Sequence, residues 1–225
     1  MTDTPIPRVS VSAEIARVVG LGVLVFDAVT VREGDAPLGE ALASSAASLR
    51  ATGAPDADVA ATRAMYRRLG LDPTKTRPSS EALLRRVRKG EALPRINTLV
   101  DVCNWCSVEF QLPYGLYDLA RVEGDVELRL GRAGEAYPGI RKDVVHVAGR
   151  PLVADAEGPF GNPTSDSART MVTPATTRVL VFVYAPRVAA GARLAGVLDV
   201  TASRIRRFAG GDERHRAVLV SPAAV

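Results

Sequence analysis

Pro113 separates two kinds of pattern, and that change bounds the fold more tightly than any single motif. Before it the chain reads mainly as helices. "PLGEALASSAASLRA" (37–51) is Ala-rich with spaced leucines, and "DADVAATRAMYRRLG" opens on Asp56 as a candidate N-cap and stops at Gly70. "SEALLRRVRKG" follows Ser79 or Ser80 as cap and stops at Gly90, with Leu83, Leu84 and Val87 as its apolar stripe. A further helix is expected from Pro94 through "RINTLVDVCNWCSVEF". A Val-rich extended entry over 8–32, with one helical turn at "SAEIARVV", comes first.

After Pro113 the chain reads as short strands, "DVELRLG", "DVVHVAG", "RPLVADAEG" and "TRVLVFVYA", parted by Gly and Pro turns. A helix over 187–211, weakened by Gly191 and Gly196, and a last strand "RAVLVSP" complete it. Helices first, strands next and one helix after them argue α+β rather than a doubly wound parallel sheet. The 225 residues, 47% hydrophobic, suffice for a sizeable core, and no repeat or low-complexity linker divides them. One domain over 1–225 is expected.

No stretch has the length of a membrane span: the longest apolar run, Val18–Phe26, stops at Asp27. The opening "MTDTPIPRVS" lacks the charged-then-apolar layout of an export signal. A cytoplasmic location without membrane contact is therefore expected.

The stretch "DVCNWCSVEF" (101–110) holds the only two cysteines, spaced C-x-x-C. A structural zinc site needs four ligands, and the only histidines, His146 and His215, are distant and unpaired in sequence. A redox pair needs the first turn of a helix, where backbone N–H groups and the helix dipole lower a thiol pKa. "CNWC" falls in the middle of its helix. The pattern favours two small buried apolar residues, with neither metal nor cofactor. His146 alternates with valines as a partly exposed strand residue would, and no G-x-G-x-x-G or G-x-S-x-G is present.

Charge is mild overall, at +4, but uneven: residues 63–95 hold ten Lys or Arg against three acids, a local excess of seven. Arg85, Arg86, Arg88 and Lys89 face away from the apolar stripe of their helix. Such a face attracts phosphate backbones, and it also describes an ordinary solvated helix. "GPFGNPTSDSART" (158–170) gathers Asp166, Ser167, Arg169 and Thr170. It reads either as a polar pocket for a carboxylate or amine, or as a turn held by Asx and Ser/Thr bonds.

The neighbourhood of the cysteines resembles the B3/B4 (tRNA-binding) domain of the phenylalanine–tRNA ligase beta subunit, and in particular its free-standing members. The resemblance rests on Val100, Asp101, Asn104 and Trp105, then Pro113, Tyr117 and Asp118, then Arg129, Gly134 and Glu135, followed by the Gly-rich turn. It is clearest over 63–184, leaving 1–60 as an extension. It implies an α+β fold with a β-sandwich-like sheet core flanked by helices. It also implies a pocket for the charged end of tRNA, where the ligase domain hydrolyses wrongly attached tyrosine.

Carried over residue by residue, the pocket candidates are Cys103, Asn104, Ser107, Gly115, Asp166, Ser167, Arg169 and Thr173. Arg85, Arg86, Arg88 and Lys89 are the RNA-binding candidates. Gly115 stands at the family's histidine position, and the strand "TTRVLVFVYA" has no acid. The resemblance therefore assigns no catalytic residue. Three functions follow as expectations: a module binding tRNA or aminoacyl-tRNA, a deacylase acting on misacylated tRNA, and a binder of a free amino acid.

Overall fold

The computed structural model describes residues 5–53, 55–141 and 143–220. The N-terminal half runs β1 (Val9–Val11), α1 (Ala13–Ala16), β2 (Val19–Asp27), α2 (Ala36–Thr52), α3 (Asp56–Arg68), α4 (Ser79–Arg88) and α5 (Thr98–Phe110). Strands follow: β3 (Tyr114–Asp118), β4 (Val126–Leu130), β5 (Ala136–Pro138), β6 (Val144–His146), β7 (Pro151–Asp155), β8 (Gly158–Asn162), β9 (Ser165–Asp166) and β10 (Val179–Pro186). The chain then forms α6 (Ala192–Ala209) and β11 (Asp212–Leu219).

Two sheets carry the fold. One has the order β11-β2-β10-β3 and the other β1-β4-β7-β8-β9, while β5 and β6 pair separately. The period of two along β2 and β10 explains how they stack. Leu21, Val23 and Val25 of β2, with Leu180, Phe182 and Tyr184 of β10, pack with Val126, Leu128, Val153 and Phe160 of the second sheet. The alternate residues Leu24, Phe26, Val179, Val181 and Val183 pack with residues of α2, α4, α5 and α6. Both central strands are thus covered on both faces. For that reason "VGLGVLVF" and "VLVFVYA" are continuous apolar runs rather than alternating ones. Gly22 allows this layering: a Cβ there would lie 3.0 Å from Leu198 and 3.1 Å from Leu194, both on α6.

This is the α+β, sandwich-like core with flanking helices that the sequence implied. Its boundaries differ in instructive places. α5 begins at Thr98, capped by Asn97, whose side chain accepts from Val100 N at 3.0 Å, rather than at Pro94. Asp101 ties down the preceding segment, accepting from Ile96 N at 2.8 Å and from Arg95 Nε at 2.7 Å. Ser79 is the first helical residue of α4 and Asp56 that of α3, and neither caps; the N-cap positions fall on Pro78 and Pro55. Gly191 precedes α6 instead of weakening it. The short strands β5, β8 and β9 lie in stretches too rich in Gly and Pro to show a strand period. Among the described residues, no helix is long and apolar enough to cross a membrane.

Candidate binding site

Helical spacing puts Asn97, Val100, Cys103, Asn104 and Ser107 on one face of α5, and that face forms one wall of a cavity of about 300 Å3. Tyr114 and Leu116 of β3 continue it, and Ser79 at the start of α4 joins from a third element. The opposite wall is Pro163, Thr164, Ser165 and Asp166, flanked by Ile140, Arg141, Met171 and Val172. The helix bearing Asn104 and the Gly-rich turn, sixty residues apart in sequence, thus enclose one hollow.

Burial orders the lining. Cys103, Ser107, Leu116 and Val172 are almost wholly buried, whereas Ile96, Met171 and Arg141 are exposed at the rim. Among the described residues the Asn104 side chain has no protein hydrogen-bond partner, and it is only half-buried. It is therefore a polar group available to a ligand.

The opposite wall is pinned from beneath by residues the sequence did not single out. Asn162 Oδ1 accepts from Thr164 N (2.8 Å) and Ser165 N (2.9 Å), an Asx turn. Asn162 Nδ2 donates to the Tyr137 hydroxyl (2.7 Å), which donates to the Ser165 carbonyl (2.6 Å). The Tyr66 hydroxyl donates to the Pro163 carbonyl (3.0 Å). The sequence signal that could have found this brace is Asn before Pro-Thr-Ser, a turn-former whose side chain mimics backbone.

Tyr117 is threaded between two glycines. A Cβ built on Gly115 would lie 2.8 Å from Tyr117 Cε2, one built on Gly161 would lie 2.6 Å from Cε1, and both would be closer still to the hydroxyl oxygen. Gly115 therefore lies outside the lining and makes room for this ring. Burial pushes the Tyr117 hydroxyl well up, and the Asp166 carboxylate adds to that push. Neutral and buried, the ring supports the floor on which Asp166 sits.

Of the sequence candidates, Cys103, Asn104, Ser107 and Asp166 line the cavity, and Gly115, Ser167, Arg169 and Thr173 do not. Ser167 is 1% exposed, its Oγ accepting from Arg169 N at 3.1 Å. Arg169 is held by both oxygens of Asp155 (2.8 and 2.9 Å) and lies over the Phe160 ring. Thr173 sits in a turn, accepting from Ala175 N at 3.3 Å. Arg129 and Glu135 form a two-pronged ion pair at 2.7 and 2.8 Å, a structural staple outside the cavity.

Burial raises both thiols, and Cys103 is raised further by Cys106 and Asp166. Cys106 accepts from Arg204 at 3.4 Å instead of facing Cys103 in a bond. Both are packing residues, as the sequence suggested. Among the described residues no group of three or more His, Cys, Asp or Glu could hold a metal ion.

Arg85, Arg86, Arg88 and Lys89 are all exposed along α4. Three have acids nearby: Arg86 and Lys89 lie 3.2 and 4.0 Å from Glu91, and Arg88 lies 3.8 Å from Asp56.

Known proteins resemble this arrangement. Over 65 residues, 28% of this chain and 8% of the relative, the chain is 35% identical to the phenylalanine–tRNA ligase beta subunit of Paramagnetospirillum magneticum. The fold superposes on an N-terminal fragment of the phenylalanyl-tRNA synthetase beta subunit from Pyrococcus horikoshii with a TM-score of 0.54 and 12% identity. That superposition covers 98% of this chain and 56% of the other, so the chain spans only part of either relative. The family model described as the B3/4 domain matches residues 61–218. That match takes in well over half of the chain, including both walls of the cavity, and this protein belongs to the B3/4 domain family.

Proposed function

We propose that this chain holds the acceptor end of an aminoacylated tRNA, with the aminoacyl group in the cavity and neighbouring phosphates on α4. One observation carries the reading. The two features lie at opposite ends of a single helix: Ser79, its first residue, lines the cavity, and Arg85–Lys89 occupy its last turn and cap. At about 1.5 Å per residue they are roughly 10–15 Å apart, a span that single-stranded RNA crosses in a few nucleotides. Membership of a family whose relatives are parts of a tRNA ligase supports the same reading.

The acid neighbours of Arg86, Arg88 and Lys89 do not preclude phosphate contact. Exposed pairs of this kind contribute about 0–1 kcal/mol, and a phosphate can displace them. The expected signature is salt dependence. Four phosphate contacts give a slope of about −3 in log–log form, or roughly a 50-fold loss between 50 and 200 mM salt. Fluorescence anisotropy with labelled tRNA measures it. Changing Arg85, Arg86, Arg88 and Lys89 together to Glu is expected to abolish binding, and salt-independent binding would refute the reading.

The reading extends to ester hydrolysis, in which Asn104 and Asp166, both on the cavity lining, would be the groups that hold a water against an ester carbonyl. Release of labelled amino acid from a panel of mischarged tRNAs tests this, and Asn104→Ala is expected to slow release at least ~10-fold. A second reading, a binder of free amino acids, is favoured by the acid pairing along α4. Stabilisation by an amino acid and not by tRNA in a thermal-shift assay would select it.

A further inference from the structure

Two polar side chains where α4 and α5 meet the cavity carry hydrogens that the protein does not use. Asn97 caps α5, its Oδ1 accepting from Val100 N at 3.0 Å. A backbone N–H only donates, so the atom facing Val100 is the oxygen and Nδ2 is turned the other way. Asn97 is 6% exposed and lines the cavity, and among the described residues its Nδ2 has no protein partner. Ser79, the first residue of α4, lines the same cavity, and its Oγ is buried without a partner. An unpaired buried hydroxyl or amide costs stability, and native chains keep few of them. Two such groups from different helices, on the lining of one hollow of about 300 Å3, are a pair that a ligand can complete.

We propose that Ser79 and Asn97 form an acyl-oxygen subsite, donating to the carbonyl oxygen of an aminoacyl ester or to a carboxylate oxygen of a free amino acid. This rests on the reading that the cavity houses an aminoacyl group or an amino acid. The amide Nδ2 offers hydrogens and accepts nothing, so its partner must be an acceptor. An acyl oxygen has two lone pairs and accepts from both donors at once; an ammonium has only hydrogens to offer and is not held there. The N-terminus of α4 adds to the attraction. Pro78 at its cap position supplies no side-chain bond, and the first N–H groups of a helix favour negative charge density.

Three ligands that share an ammonium and a side chain but differ at the acyl group test this: L-phenylalanine, L-phenylalaninamide and phenethylamine. L-Leucine, L-leucinamide and isopentylamine form an aliphatic set. In isothermal titration of the full chain, the acyl-bearing members of any set that enters are expected to bind at least ~10-fold more tightly than the amine, the sum of two hydrogen bonds worth roughly 2–10-fold each. Preference for the amide over the acid identifies an ester carbonyl as the natural occupant, and the reverse identifies a free carboxylate. Ser79→Ala removes one donor and Asn97→Asp turns the other into an acceptor while keeping the cap of α5. Each is expected to weaken the acyl-bearing ligand by at least ~2-fold and leave the amine unchanged. The Tm of Ser79→Ala is expected to equal or exceed that of wild type, because the lost hydroxyl has no partner. Ser80→Ala is the control: that hydroxyl is also buried and unpaired but lies outside the cavity lining, so binding is expected to be unchanged.

An amine that binds as tightly as its amide and acid, no binding of any ligand at millimolar concentration, a lowered Tm for Ser79→Ala, or equal weakening by Ser79→Ala and Ser80→Ala would each overturn the proposal. If Asn97→Asp fails to fold, Ser79→Ala and the wild-type ligand series still decide. Binding of tRNA without dependence on the acyl group overturns the subsite alone. Acyl-dependent binding without tRNA binding overturns the RNA reading and leaves the subsite standing.

Discussion

Gly115→Ala adds one methyl group against the buried Tyr117 ring, and the structure sets its cost. The new Cβ would meet Tyr117 at 2.8 Å from Cε2 and Cζ, inside any normal carbon contact. The ring has nowhere to go. It is fully buried, Gly161 holds its other edge, Phe160 packs against it edge-on at 4.9 Å, and Phe182 stands at 5.7 Å. Overpacking of such a site costs about 1–3 kcal/mol, and disturbing the 3.4 Å contact between the Tyr117 and Tyr184 hydroxyls adds up to about 1 kcal/mol. A total near 3 kcal/mol lowers the Tm of a chain this size by roughly 6–12 °C.

Urea unfolding of wild type, Gly115→Ala, Tyr117→Phe and the double variant measures it. Removing the hydroxyl takes away the nearest obstacle, so the double variant is expected to be more stable than additivity predicts by about 1 kcal/mol. Gly196→Ala is the control: nothing lies within 4 Å of its Cβ position, and mid-helix Gly→Ala stabilises by about 0.5–1 kcal/mol. A Gly115→Ala cost below ~0.5 kcal/mol, or additivity with Tyr117→Phe within that margin, would refute the argument that Gly115 is present to seat Tyr117.

Two further outcomes follow from the charges and the thiols. Arg129 holds the Glu135 carboxyl down from 4.5 to about 2, so the pair stabilises the fold above the ordinary carboxylate pKa. That stability, on the order of 2–3 kcal/mol, is lost as pH falls from about 5 through about 2; Glu135→Gln is expected to flatten this part of the stability–pH curve, and an unchanged curve refutes the assignment. Cys103 and Cys106 are buried with raised pKa values, so a thiol-reactive dye at pH 8 is expected to label neither in the native protein and both after denaturation. Rapid native labelling would show that the cavity opens as far as Cys103.

The fold class was legible before any coordinates because it is written in local periodicity. The Val-rich runs of β2 and β10 read as strands, and the structure shows them buried on both faces. The family motif pointed to the α5 stretch that lines the cavity, and helix position argued against the cysteines as a redox pair. Each inference used only neighbours within a turn or two of each other.

The membership of the site was a tertiary matter. Arg169 reads in sequence as a ligand for a carboxylate, and it is one: β7 brings Asp155 to it, so the carboxylate is the protein's own. Gly115 reads as a lost histidine, yet it and Gly161 flank the two edges of the Tyr117 ring and together make room for it. Ser79 and Arg141 reach the cavity only through the placement of α4 and of the segment after β5. The chain's own residues determine which positions are apolar and which helix face is polar, because those depend on dihedral angles of adjacent residues. Which polar groups find partners and which are left for a ligand depends on how the strands cross, and that is decided only when the two sheets and the helix layer close around one another.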